Sequence, residues 1–284
     1  MGDLVGAYFP SPTSDLALMI RFLSATLLVI TAGALRAAPA LPLEAGEALT
    51  YRVAWAVVPG AGEIKIEAAT ESGATGGAGA APRLVVTTTT ATRRLAKMLM
   101  PFEAKAESFY DSTTGLLTEL RETATRRRKT SEHTVTFDYV KREARYATPG
   151  SAEPPRTLPF PDGNPSDLIM ALLQTRTWNL QPGQSRDALV IFDDDFYEIT
   201  IHALRYENVR TPLGQFRALV LEPRMDKTAP KGMFKKGASV HVWIAEDVHH
   251  LPVKFEVEFK IGTGTATLES YTRSPGAVAT PAAP

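Results

Sequence analysis

The 284-residue chain contains no cysteine. Disulfides, thiolate nucleophiles and cysteine-bearing metal sites are therefore excluded, and no cysteine follows an apolar leader to carry a lipid anchor. Neither charge dominates, with 31 Lys and Arg against 31 Asp and Glu. A neutral chain has no global field to draw it onto nucleic acid, so none is expected as a partner. Apart from one run near the N-terminus, nothing approaches the ~20 apolar residues of a membrane-crossing helix. No G-x-S-x-G elbow and no spaced set of metal ligands occurs.

What is present starts with residues 19–40. Arg21 supplies a positive n-region and Phe22 to Leu35 an apolar run. Ala38-Pro39-Ala40 is a small-x-small cleavage site, and Leu35-Arg36-Ala37 is a second. The pattern predicts a cleaved secretory signal and a periplasmic mature protein, cut after Ala37 or Ala40. It also predicts a working start at Met19, with residues 1–18 left over from a misplaced start codon. Residues 41–272 are long enough for a single β-rich domain. Residues 273–284, small and Pro-rich, are expected to form a disordered tail.

Most of the remaining chain alternates with period two, the signature of strands. In Lys254-Phe255-Glu256-Val257-Glu258-Phe259-Lys260-Ile261 every odd position is apolar and every even one charged. One face of that strand is expected to be buried and the other wet. In Val240-His241-Val242-Trp243-Ile244 the aliphatics share one face and His241 and Trp243 the other, so Trp243 is expected to be partly exposed. Further strands are predicted over 47–57, 61–71, 83–92, 103–111, 116–124, 132–139, 142–148, 187–193, 196–206, 216–223 and 265–271. The fold class is mainly β, one large antiparallel sheet curled into an open or closed barrel, because a flat sheet of that width leaves exposed edges.

One central helix and one shorter helix interrupt the strands. Asn164 as N-cap with Pro165 at the first helical position predicts a helix over 165–178. Residues 168–173 are apolar all round, so this helix is expected inside, in the mouth of the sheet or across its concave face. A short helix is predicted over 94–100, with Leu95, Met98 and Leu99 on one face and Pro101 as its stop. Residues 72–81, rich in Gly and Ala, predict a flexible hairpin tip, and the Pro-rich stretch 149–165 a link to the central helix.

Several of these segments, in this order, resemble the secreted bacterial family called Domain of Unknown Function 3108. The opening Gly46-Glu47-Ala48-Leu49-Thr50-Tyr51-Arg52-Val53-Ala54-Trp55 is similar to its "GE-x-L-x-Y-x-V-x-W" strand. The Gly-rich turn at Pro59–Gly62 and the Asp167-to-Arg176 helix also match. So do Thr211–Phe216, Val242–Asp247 and Leu251-Pro252-Val253, so the resemblance spans nearly all of 44–271. It implies an exported, β-rich protein and no particular activity.

Each candidate site has a plain structural reading beside the functional one. His133, His202, His241, His249 and His250 lack ligand spacing, since adjacent His249 and His250 point to opposite faces of a strand. They read as surface imidazoles. Asp193-Asp194-Asp195 lacks the oxygen spacing of a calcium loop and reads as a solvated turn. Arg126-Arg127-Arg128-Lys129 reads as a hairpin tip, with an anionic lipid headgroup or polymer as the sharper alternative. Asp167 and Arg176 lie on opposite sides of their helix and do not pair. The plain reading has Asp167 support the helix N-terminus and Arg176 bond carbonyls or a carboxylate elsewhere. The sharper one has either residue orient a ligand headgroup.

No catalytic residue, metal or cofactor is assigned. A bent sheet closed by an apolar helix can enclose a greasy cavity. The first reading is therefore a binding or carrier module for a lipid or other apolar or amphipathic ligand, with Asp167, Leu172, Arg176 and Trp243 as ligand-binding candidates. A structural or interaction protein of the cell envelope with a filled core is second, and a hydrolase third.

Overall fold

The structure, a computed structural model, describes residues 41–71, 82–231, 234–235, 238–259 and 262–273. The expected signal and start (1–40), the hairpin tip 72–81 and the tail beyond residue 273 lie outside them. Fifteen strands form one sheet. The first group is β1 (Ala48–Trp55), β2 (Val58–Glu71), β3 (Arg83–Thr92), β4 (Phe102–Asp111), β5 (Leu117–Arg126), β6 (Lys129–Asp138), β7 (Glu143–Ala147) and β8 (Arg156–Pro159). The second is β9 (Pro165–Asp167), β10 (Ser185–Phe192), β11 (Asp195–Thr211), β12 (Gly214–Arg224), β13 (Ser239–Ala245), β14 (Pro252–Phe259) and β15 (Gly262–Thr272). Two α-helices are described, α1 (Arg94–Leu99) and α2 (Leu168–Gln174), and a 3-10 turn, Thr175–Thr177, extends α2.

The strand order places β1 beside β15 at the centre, with β2 to β8 running outward on one side and β14 to β9 on the other. Every pairing is antiparallel except β9 with β10. The outermost strands, β8 and β9, are consecutive in the chain. Laid flat, fifteen strands would span roughly 67 Å at the usual interstrand spacing. The link from Pro159 to Pro165 reaches at most about 23 Å, six Cα steps. The sheet must therefore curl. No pairing joins β8 to β9 among the described residues, so its hydrogen-bond ladder is not closed.

Pairing register shows how the edges meet. Directly paired residues share a face, and alternate residues along a strand return to it. One face can be followed from Ser108 and Val86 through Ile64, Tyr51, Ala266, Phe255, Val242, Leu221 and Ala203 to Ile199, Ala188 and Val190. Leu189, Ile191 and, through its pairing with Ile191, Asp167 lie on the opposite face. Yet Asp167 hydrogen-bonds Ser108 and Tyr110 of β4, and Leu189 and Ile191 pack with Leu120, Val135 and Ala144. The β9–β10 edge is thus rolled inside the concave face of β4–β8. Arg156 of β8 reaches Asp194 in the β10–β11 turn, across the overlap.

The roll explains two departures from the sequence expectations. Trp243 is not partly exposed: it is 5% accessible. Its Nε1 donates to Glu207 at 2.8 Å, and the Lys254 ammonium lies 4.0 Å from its ring centre. In β12 and β13 alternate residues fall into two separate clusters, Val220 and Trp243 in one, Leu221 and Val242 in the other, so neither face is simply wet. The central helix also differs. Pro165–Asp167 is extended as edge strand β9, where a residue without an N–H is tolerated, and the helix starts at Leu168 with Asp167, not Asn164, as its cap. The link 149–165 contains β8, which its Pro-rich composition concealed. The short helix forms as expected, but none of its residues is buried.

Burial ranks two aromatics opposite to their sequence pattern. Trp243→Ala is expected to lose about 3–5 kcal/mol, the range for truncating a buried large aromatic, and more than Phe255→Ala, whose ring is half-buried. Urea melts of both variants check this.

Candidate functional site

The site consists of a floor, formed by α2 and its polar anchors, and a mouth above it. At the N-terminal end of α2 the Asp167 carboxylate is buried. Its Oδ1 accepts from the Met170 amide at 2.9 Å. Its Oδ2 accepts from Ser108 Oγ at 2.7 Å and from Tyr110 Oη at 3.0 Å. Burial raises its pKa above the ordinary aspartate value, the three donors oppose that, and the Glu122 carboxylate adds repulsion. Tyr110, buried beside this carboxylate, is pushed well up.

At the C-terminal end, Arg176 donates to Pro42 O at 2.7 Å, to His249 O at 2.9 Å and to Glu47 Oε1 at 3.1 Å. His250 Nδ1 meets Arg176 O at 2.8 Å. Glu47 also accepts from Tyr271 Oη at 2.7 Å and from the Glu44 amide at 2.7 Å. Burial works to raise the Glu47 pKa, but the Glu44 amide, Arg176 and Tyr271 outweigh it and hold the group low. Tyr271, partly desolvated and facing that carboxylate, is pushed up to about 12. Between these anchors, Met170 and Leu173 pack into the cluster that includes Leu49, Tyr51 and Leu120. Ala171 and Leu172 pack into the other, with Ile199, Ile201 and Val242.

Above the floor the concave face changes character strand by strand, with a staggered boundary. On β3, Leu84 and Val86 are buried, while Thr88, Thr90 and Thr92 on the same face are half-exposed. On β1 the change falls between Tyr51 and Val53, on β2 between Ile66 and Ile64, and on β4 between Ser108 and Ala106. On β5 it falls between Leu120 and Glu122, and on β14 between Val253 and Phe255. The upper side chains are mostly small: Thr88, Thr90, Thr92, Ala104, Ala106 and Ala124. Short side chains on a curled sheet reach less far across it, and the residues here are only partly buried. The Trp55 ring lies 3.2 Å from where a Cβ on Gly264 would stand, so glycine there admits the indole. On the same face Glu122 Oε2 and His133 Nε2 are 2.9 Å apart, an ionisable pair among threonines and alanines. A separate groove of about 240 Å3 beside the mouth carries Glu222, Arg224 and Asp226 among its lining residues.

Of the four residues singled out in the sequence, Asp167, Leu172 and Arg176 come together in the floor, with the polar pair fully engaged by protein groups. Trp243 lies on the other face of its strand. Glu47 was missed as a site residue although it stands in the quoted opening motif, because nothing local announces its pairing with Arg176. Tyr51 of that motif donates to Pro252 O at 2.8 Å, which ties the Leu-Pro-Val segment to the same end.

Residues 50–269 match the family model described as "Protein of unknown function (DUF3108)". The chain belongs to the DUF3108 family. No curated protein matches it. Among solved structures, this DUF3108 chain is similar to a β-barrel-like protein of domain of unknown function DUF1849 from Brucella abortus. The identity is 8%, with 81% of this chain and 98% of that one covered and a TM-score of 0.49. It is also similar to a protein with a YmcC-like fold from Bacteroides fragilis, at 11% identity, with 82% and 98% covered and a TM-score of 0.33.

Two outcomes follow from the anchors. Because the raised Asp167 pKa makes the native state hold its proton longer than the unfolded chain does, this group's contribution falls as pH rises above the ordinary aspartate value. The stability of wild type minus that of Asp167→Asn should decline from about pH 3 to 7. Asp167→Ala should lose about 1–3 kcal/mol, since it orphans the buried Met170 amide and Ser108 hydroxyl. Denaturant melts across pH read both. Arg176→Met should lose about 3–5 kcal/mol by leaving Glu47 buried without its cation, and Glu47→Gln added to it should recover part of that loss.

Proposed function

We propose that this DUF3108 protein is an exported binding module that takes an apolar or amphipathic ligand into a recess above α2. The observation that carries the reading is that concave-facing side chains of six strands turn from buried to partly exposed toward the same end of the sheet. Small threonine and alanine walls suit a hydrocarbon body, and the Glu122–His133 pair suits one polar end, the combination expected of a ligand pocket. Asp167, Leu172 and Arg176 contribute by building the floor. Export and a periplasmic location rest on the leader-like pattern of residues 19–40.

Titration with a fluorescent fatty acid tests the proposal. Wild type should bind with saturation. Thr90→Trp, which fills the recess from a half-exposed position, should weaken binding by at least about tenfold, a loss of ~1.4 kcal/mol of binding energy, with little change in a urea melt. Native mass spectrometry of the purified chain should reveal co-purified lipid. Absence of saturable binding in wild type would sink the carrier reading and leave the second one, an envelope protein whose filled floor serves only stability.

A further inference from the structure

The rim around the mouth carries an uncovered apolar surface. In α1, Leu95, Met98 and Leu99 stand at i, i+3 and i+4 and so share one face. They are 57%, 81% and 69% exposed, and Met100 behind them is 67% exposed. No residue of this helix is buried. Six residues make too short a helix to persist on local bonds alone, and such helices ordinarily depend on packing their apolar face. Here that face is left mostly exposed. The neighbouring β1–β2 turn, joined to α1 through the β2–β3 pairing, presents Val57 at 93% exposure. Turn tips of this kind usually carry polar residues.

Beside the apolar surface stands a basic one. Arg126 pairs with Phe102, the first residue after the α1 connection, and the Arg127 amide donates to Pro101 O at 3.0 Å, so the β5–β6 tip abuts α1. Arg127, Arg128 and Lys129 are exposed and have no ion pair among the described residues, while Arg126 lies over the Phe102 ring. From α1 itself come Arg93, paired with Glu63 at 2.9 Å, Lys97, paired with Glu103 at 2.9 Å, and Arg94. Seven cations thus stand in this region, two of them paired with carboxylates. Arg94 and Arg127 hold left-handed backbone, φ 50° and 57°, where glycine is the unstrained choice. The chain retains charge there against its backbone preference.

We propose that this rim docks on an anionic lipid bilayer, with Leu95, Met98, Leu99 and Val57 entering the interface and the β5–β6 tip reading the headgroup charge. Apolar side chains flanked by unpaired Arg and Lys are what an interfacial membrane contact requires. A neutral partner would leave the cations without counter-charge, and an acidic soluble polymer would leave the aliphatic face wet. Docked in this way, the recess opens toward the bilayer. This last point rests on the carrier reading, but the docking itself does not.

Co-sedimentation of the purified chain with vesicles tests the docking without any ligand in the recess. Wild type should sediment with phosphatidylcholine vesicles containing phosphatidylglycerol, should not with phosphatidylcholine alone, and should release at high salt. Arg127→Glu/Arg128→Glu should weaken this binding at least about tenfold, since each basic side chain near an anionic surface contributes severalfold. Met98→Ser/Leu99→Ser should weaken it comparably, and both pairs should leave the urea melt unchanged because all four side chains are exposed. The proposal is overturned by no binding to anionic vesicles, by equal binding to neutral ones, or by full binding of the serine variant. It is overturned equally by sedimentation velocity showing a wild-type dimer that the serine variant breaks, since the occupant is then a second copy. Vesicle binding without fatty-acid binding would keep the docking and reject the carrier.

Discussion

Five residues, 160–164, join the two outermost strands of a fifteen-stranded sheet, and the rest of the architecture follows from that tether. It forces the sheet to curl, and the short reach brings β9 and β10 inside the concave face of β4–β8. An open sheet with two bare edges would be a template for aggregation. Here one edge is hidden within the roll, and the other, β8, is crossed by the Arg156–Asp194 contact. Because the inserted edge and α2 occupy only one end of the roll, the two ends differ. One is plugged by large aliphatic side chains. The other is lined by threonine and alanine that are only partly buried.

The plug is held by polar anchors rather than by apolar contact alone. Asp167 fixes one end of α2 to β4 through two hydroxyls, and Arg176 fixes the other to Glu47 and to two carbonyls. Buried charges of this kind add little net stability over apolar packing but are expensive to break singly. Their effect is positional: they set where α2 stops, and hence the depth of the proposed recess. The ordinary aspartate chemistry of a helix cap and the buried ion pair thereby define the geometry on which any ligand reading depends.

Much of this was legible in the sequence, and what was not had a long-range cause. Alternation located thirteen of the fifteen strands, since period two is a local property. Strands β8 and β9 escaped because each is short and Pro-flanked. The start of α2 was misplaced by three residues because Asn164-Pro165 and Asp167 offer the same capping chemistry, and only the pairing of Ser166 and Asp167 with β10 decides between them. Trp243 looked half-wet because its strand neighbours define a face but not what covers it. The pairing of Glu47 with Arg176 bridges 129 positions without any local signal. The proposed recess did have one: Thr88, Thr90 and Thr92 alternate on the face that Leu84 and Val86 begin, but alanines on two partner strands become visible beside them only once register is known.

One face of β3 passes from buried Leu84 and Val86 to partly exposed Thr88, Thr90 and Thr92. The absence of cysteine makes this directly measurable, because any introduced thiol is unique. Val86→Cys and Thr90→Cys, placed on the same face of β3 in the two regions, can be challenged in the native state with a small methanethiosulfonate reagent. The account predicts that the thiol at position 90 reacts readily while that at position 86 reacts only as fast as the protein unfolds. Equal protection at both positions would mean that the interior is filled throughout, and would contradict it.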